Sequence, residues 1–208
     1  MAVPFSLYLI SDRHKCGGRT LAATLALACE AGVRAFQIRE KDLPTSELVR
    51  LIQDIQRATD PFHPLVLIND RADVAKACGA AGVHLPESGL SPSLARQCLP
   101  DQALIGASTH SLDAALRAEA DGADFLTFGP IFPTPSKAAF GEPQGVEALH
   151  LVTQAVKVPV FAIGGITAER AGVCQQAGAA GVAVISAILA ASDVKAAVTA
   201  FERAMGGL

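Results

Sequence analysis

Eight short apolar runs recur along the chain: Leu7–Ile10, Ala35–Ile38, Leu65–Ile68, Gly82–Leu85, Ala103–Ile105, Phe125–Phe128, Val158–Ile163 and Gly181–Ile185. The stretches between them carry apolar residues at helical spacing, such as Leu21, Leu25 and Ala28, or Leu48, Leu51, Ile52 and Ile55. Runs that are apolar on both faces belong to a parallel sheet covered on each side, and strict strand–helix alternation gives βα units. Eight units in 208 residues leave about 26 residues each, near the lower size limit of a (β/α)8 TIM barrel, which typically has about 250. An open doubly wound sheet is the competing architecture, but it usually stops at about five to seven strands. The count therefore favours an α/β barrel. No Pro/Gly/Ser linker or composition shift divides the chain, so residues 1–208 read as one domain.

A weak internal echo supports this count. Glu30-Ala31-Gly32-Val33, Ala80-Ala81-Gly82-Val83, Ala120-Asp121-Gly122-Ala123 and Gln176-Ala177-Gly178-Ala179 precede the second, fourth, sixth and eighth strands. The Gly in each is expected to end a helix in the left-handed conformation.

Composition narrows the function classes. Seventeen basic against twenty acidic residues give a net charge of −3, and without a Lys/Arg-rich run neither nucleic acid nor a membrane surface is an expected partner. No apolar run approaches the roughly 18 residues that a spanning helix needs. Met1–Asp12 lacks a basic n-region and reads as a first strand, which makes cytoplasm the expected compartment. Five widely spaced cysteines without a CxxC pair suggest neither a disulfide framework nor a zinc site, and most read as small buried residues.

A barrel carries its chemistry at the C-terminal ends of its strands, and polar residues collect there. After the second run, alternation through Gln37-Ile38-Arg39-Glu40-Lys41 places Gln37, Arg39 and Lys41 on one face. Two cations side by side suit a phosphate or carboxylate ligand, or else a salt-bridge cluster with Glu40 and Asp42. After the third run, Asn69 and Asp70 either hold a hard cation such as magnesium together with substrate phosphates, or cap the next helix. His84, inside an apolar run, reads as a packed core histidine, and Glu87 stands closer to the chemistry. Ser108 can donate to a phosphate oxygen, Ser111 is placed to cap a helix at Leu112, and His110 is either an acid/base or a loop residue. The sixth run leads into a long Pro/Gly-shaped loop with Thr134, Ser136 and Lys137, which could fold over an anion. Bare backbone at Gly164-Gly165 and Ile185-Ser186, each opening a helix, matches the phosphate site that barrels build after strands seven and eight.

In this order, Gln37-Ile38-Arg39-Glu40-Lys41, Asn69-Asp70-Arg71, Gly82-Val83-His84-Leu85-Pro86, Phe128 to Lys137 and Ile163-Gly164-Gly165-Ile166 resemble the thiamin phosphate synthase and TenI family, and the likeness runs from Tyr8 to Ile188. The resemblance implies a TIM barrel. It also implies a magnesium-dependent transferase that joins hydroxymethylpyrimidine diphosphate to thiazole phosphate, giving thiamin monophosphate and diphosphate through a pyrimidine methylene cation. It implies Gln37 at the pyrimidine, Arg39, Lys41, Asn69, Ser108 and Lys137 at the leaving diphosphate, and Asp70 at Mg2+. Thr134, Ser136, Gly165, Ile185 and Ser186 would then bind the thiazole phosphate. Small homo-oligomers are implied as well.

One departure is plain. Synthases usually carry GQ-x-D after the fourth strand, whereas Pro86-Glu87-Ser88-Gly89 puts Gly89 where a second metal carboxylate is expected, with Glu87 or Ser88 as the substitute ligand. This segment looks like the TenI branch, whose studied members are metal-free thiazole tautomerases, and there His110 would transfer the proton. Lys41, Asn69-Asp70 and the Pro133 to Lys137 segment speak for the synthase. A phosphate-binding barrel without catalysis is the remaining alternative.

Overall fold

A computed structural model describes residues 3–134 and 142–206. Eight parallel strands, β1 (Leu7–Ile10), β2 (Ala35–Ile38), β3 (Leu65–Asn69), β4 (Gly82–Leu85), β5 (Leu104–Thr109), β6 (Phe125–Phe128), β7 (Val160–Ile163) and β8 (Gly181–Val184), close in sequence order into a barrel. Closure is made by β1 against β8, with Tyr8 opposite Ala183. The helices that return the chain are α1 (Leu21–Glu30), α2 (Thr45–Thr59), α3 (Ala72–Ala77), α4 (Pro92–Cys98), α5 (Leu112–Ala120), α6 (Gly145–Ala155) and α7 (Ala168–Gln176), followed by α8 (Ser186–Leu189) and α9 (Val194–Ala204).

Local chemistry sets the helix starts. Thr20, Ser91, Ser111 and Asp193 each accept a hydrogen bond from the backbone N–H three residues on, a cap worth about 1 kcal/mol. The expected cap at Ser111 is therefore present. α2 has apolar residues on one stripe and buries Leu48, Ile52 and Ile55, each contributing roughly 1.5–3 kcal/mol relative to exposure.

Two apolar layers result from strand alternation. One face of each strand packs against the helix ring, where Leu9, Phe36, Ile38, Ile68, Ile105, Leu126 and Val182 are buried. The opposite face fills the barrel with Tyr8, Ile10, Ala35, Leu67, Phe125, Phe161 and Ala183. Phe5 closes the bottom, edge-on to Phe125 with ring centroids 5.6 Å apart. The interior is thus a packed core, and a barrel of this kind offers its C-terminal strand ends for chemistry.

Several boundaries differ from the apolar runs. β5 continues through Gly106-Ala107-Ser108-Thr109 because its register with Phe125–Phe128 carries on past the apolar residues. The room at Gly106 is not open space, since a Cβ there would stand 2.5 Å from His84 Nδ1 and also strike the Phe125 ring. Gly32, Gly122 and Gly178 have the expected positive φ, but Gly82 does not. Gly82 begins β4 against the Leu104 backbone, and the left-handed turn of that unit falls at Gly79, φ 60°.

Cys16, Cys29 and Cys174 are buried, as the composition suggested, whereas Cys78 is half-buried and Cys98 exposed. Burial pushes the Cys29 thiol up to about 12 and Cys174 to about 11, so neither supplies a thiolate near neutral pH. Among the described residues no helix is long and apolar enough to cross a membrane.

Candidate active site

β2 ends at Ile38, so the strand alternation that would place Gln37, Arg39 and Lys41 on one face does not extend to the last two. Gln37 is buried, and its Nε2 donates to the Tyr8 hydroxyl at 3.4 Å. Burial holds that phenol protonated. Arg39 and Lys41 lie exposed in the turn beyond the strand, and their side chains make no hydrogen bond or ion pair among the described residues. The alternative reading, a salt-bridge cluster of these cations with Glu40 and Asp42, is not what forms among the described residues. Both carboxylates instead bind Arg13, with Nη1 3.0 Å from Glu40 and the guanidinium forked on Asp42 at 2.6 Å.

At the end of β3, Asn69 pairs in register with His84. Asp70 sits in the left-handed region at φ 63°, which Asp tolerates better than most residues. Its N–H donates to the His84 carbonyl at 2.9 Å, which pins the turn to the neighbouring strand. Neither residue caps α3. The N-cap is Arg71, whose side chain binds Asp73 at 2.6 and 2.8 Å and holds that carboxyl below its usual range. The Asp70 carboxylate makes no hydrogen bond or ion pair among the described residues. The turn after β4 lies directly against it, since a Cβ on Gly89 would come 2.8 Å from Asp70 Oδ1.

His84 is the packed core histidine that the sequence indicates. Its Nε2 is 3.0 Å from Ser108 Oγ and 3.3 Å from Thr127 Oγ1, while Nδ1 has no partner. Burial, with a smaller push from Arg39, lowers its pKa to about 3. A neutral ring carrying its proton on Nε2 would donate toward Ser108 Oγ and leave an acceptor, rather than a donor, unpaired at Nδ1 among the described residues. Glu87 does not approach a cluster of metal-ligating groups. Its Oε2 lies 2.7 Å from His110 Nδ1, and both side chains are exposed.

Gly164 and Gly165 take left-handed conformations, φ 96° and 64°, but they do not open a helix directly. α7 begins at Ala168 with Thr167 as its N-cap. The two glycines instead let the β7 turn pass beneath the β6 loop, where a Cβ on Gly164 would be 2.5 Å from the Pro130 Cα and one on Gly165 2.7 Å from the Pro133 carbonyl. Ile131 and Phe132 donate to the Ile163 and Gly164 carbonyls at 2.9 and 3.0 Å, tying the two loops together. Ile185 does open a helix, as the N-cap of α8 with no side-chain cap hydrogen bond, so the first N–H groups, from Ser186 on, have no partner within the helix itself. Thr134 is half-buried at the edge of this region. Ser136 and Lys137 lie outside the described residues.

A family model for thiamine monophosphate synthase matches residues 7–188. The chain belongs to this family. It is 52% identical to a Geobacter sulfurreducens protein named "Putative thiamine-phosphate synthase", over 92% of this chain and 90% of that one. It is 38% identical to the thiamine-phosphate synthase of Clostridium novyi, over 95% of this chain and 97% of that one. The thiamine phosphate pyrophosphorylase structure from Pyrococcus furiosus superimposes with a TM-score of 0.87 at 35% identity, covering 97% of this chain and 95% of that one.

In this member of the thiamine monophosphate synthase family, sequence reasoning missed two parts of the mouth. Arg13 follows β1 within a Ser11-Asp12-Arg13 turn at the C-terminal end of that strand, and its position alone could have drawn attention. Thr127 lies inside a run of Phe and Leu, and only the pairing of Ser108 with Thr127 across β5 and β6 shows that the two hydroxyls meet.

Proposed function

We propose that the chain is a thiamin phosphate synthase that joins 4-amino-5-hydroxymethyl-2-methylpyrimidine diphosphate to thiazole phosphate. Family membership supports the reaction class, and the cations Arg39 and Lys41 after β2 and the Asp70 carboxylate after the neighbouring β3, none of them paired among the described residues, carry the assignment of the site. In this reaction the methylene C–O bond breaks, diphosphate leaves with the electron pair, and the thiazole nitrogen forms the new C–N bond. Negative charge grows on the leaving group, so fixed cations and donors aimed there accelerate the step. Arg39 and Lys41 supply the charge and Ser108, held by His84, supplies a hydroxyl proton. Asn69 and Lys137 complete the diphosphate contacts, while Gln37 orients the pyrimidine from the barrel floor. The thiazole phosphate takes the backbone N–H groups at Gly165 and at the start of α8, at Ile185 and Ser186, with Thr134 and Ser136 as further ligands.

Among the described residues no three His, Cys, Asp or Glu side chains cluster to hold a metal ion. A site with one carboxylate still fits Mg2+, which takes one or two carboxylates and completes its shell with phosphate oxygens and water. Asp70 would hold it. When bound, the ion would neutralise diphosphate oxygens. Glu87, the other candidate ligand, has its carboxylate on His110.

The tautomerase reading rests on that Glu87–His110 pair, which would orient the imidazole for proton transfer at the rim. The deciding experiment is thiamin monophosphate formation from the two substrates with Mg2+ and again with excess chelator. Turnover that chelator abolishes supports the synthase, and absence of turnover in both conditions overturns it. The reading also carries cytoplasmic placement, where charged phosphorylated precursors are retained, and a small homo-oligomer.

A further inference from the structure

Four charged residues stand in succession at the end of β2: Arg39, Glu40, Lys41 and Asp42. Left to themselves, such alternating charges neutralise one another and weaken the pull of the cations on an anion. Here the two signs are separated. Glu40 is turned inward, with only 2% of its side chain exposed. It accepts from the Ser11 hydroxyl at 2.5 Å, from the Arg13 N–H at 3.2 and 3.3 Å, and from Arg13 Nη1 at 3.0 Å. The far side of the same guanidinium takes both oxygens of Asp42 at 2.6 Å, the planar fork geometry that Arg offers and Lys does not. His14 Nε2 lies 3.4 Å from Asp42 as a weaker, exposed neighbour. Ser11 completes the tie by accepting the Arg39 N–H at 2.8 Å, so the β1 turn also fixes the backbone that carries the mouth cation.

We propose that Arg13 is a positioning residue for the anion site: by engaging Glu40 and Asp42 together it keeps Arg39 and Lys41 free for phosphate. Arg13 itself need not touch the ligand. Its loss releases two carboxylates beside the two cations, where they compete with the anion and repel it. This inference rests on the proposed anion site, so the test begins with binding that needs no turnover.

The probe is inorganic diphosphate titrated calorimetrically into the intact protein. Arg13→Met should weaken binding by about tenfold, the scale of one or two unit charges acting at partly solvated distances. Adding Asp42→Asn to Arg13→Met should recover most of that loss, because it removes a released competitor. A merely structural role predicts no recovery, since the second substitution restores no contact. Arg13→Lys keeps one cation without the fork and should weaken binding by about threefold, and it carries the test if Arg13→Met does not fold. Unchanged binding in the single variants, or a double variant no tighter than Arg13→Met, overturns the proposal. Failure of the unaltered protein to bind diphosphate would instead overturn the anion site itself, a separate outcome.

Discussion

Glu87 Oε2 and His110 Nδ1 lie 2.7 Å apart, linking the turn after β4 to the turn after β5 at the rim of the barrel. Both side chains are more than a third exposed, so the pair is a modest stabiliser. Its value is diagnostic, because the two candidate reactions use it differently. In the synthase, the departing diphosphate needs charge rather than a rim acid/base. His110→Ala should therefore lower kcat/KM for thiamin monophosphate formation by no more than about fivefold, the scale of an exposed ion pair. Loss by a factor of about 100 or more, the size of a general acid/base contribution, would show that the imidazole takes part in that reaction.

Removal of one preorganised cation should be far more damaging. Arg39→Ala is expected to reduce kcat/KM for thiamin monophosphate formation by about 100- to 1,000-fold, or about 2.7–4 kcal/mol, as for loss of a donor aimed at developing charge. Lys41→Ala should behave similarly. Steady-state kinetics that barely change would place the diphosphate elsewhere.

Gly89 faces the Asp70 carboxylate, with a Cβ at that position 2.8 Å from Asp70 Oδ1. The same Cβ would meet the Pro86 ring at 2.8 and 2.9 Å, so either the Asp70 carboxylate or the ring must shift to admit a side chain. Gly89→Asp is expected to lower the Mg2+ concentration giving half-maximal activity and, without Mg2+, to lower the melting temperature by crowding like charges. A variant with unchanged Mg2+ dependence would show that the metal does not sit at Asp70.

His84 makes stability depend on pH in a defined window. Its folded pKa is about 3, below the roughly 6.5 of an unfolded-chain His. Between these values the unfolded state binds the extra proton, so stability falls as pH drops from about 6.5, by about 1.4 kcal/mol per pH unit from this group. His84→Gln should flatten that part of a denaturation profile taken between pH 6.5 and 4. An equal slope in both proteins would mean that the imidazole is not held neutral.

The sequence by itself determined the closed eight-stranded barrel. Apolar runs at near-constant spacing are a local property, and a parallel sheet covered by helices admits few ways of burying eight of them. That Asp70 and Ser108 stand at or just past the strand ends, with Arg39 in the turn after β2, was legible for the same reason. Only the tertiary structure decided which charges are spoken for. Arg13 is 27 residues from Glu40 and 29 from Asp42, and His110 is 23 from Glu87. Contacts of that separation are set by how neighbouring strand-end turns face one another. The period of a strand places a side chain on a face, but it carries no information about the partner brought there by another strand. For that reason the pairing of Glu40 and Asp42 with Arg13 emerged only when the barrel closed.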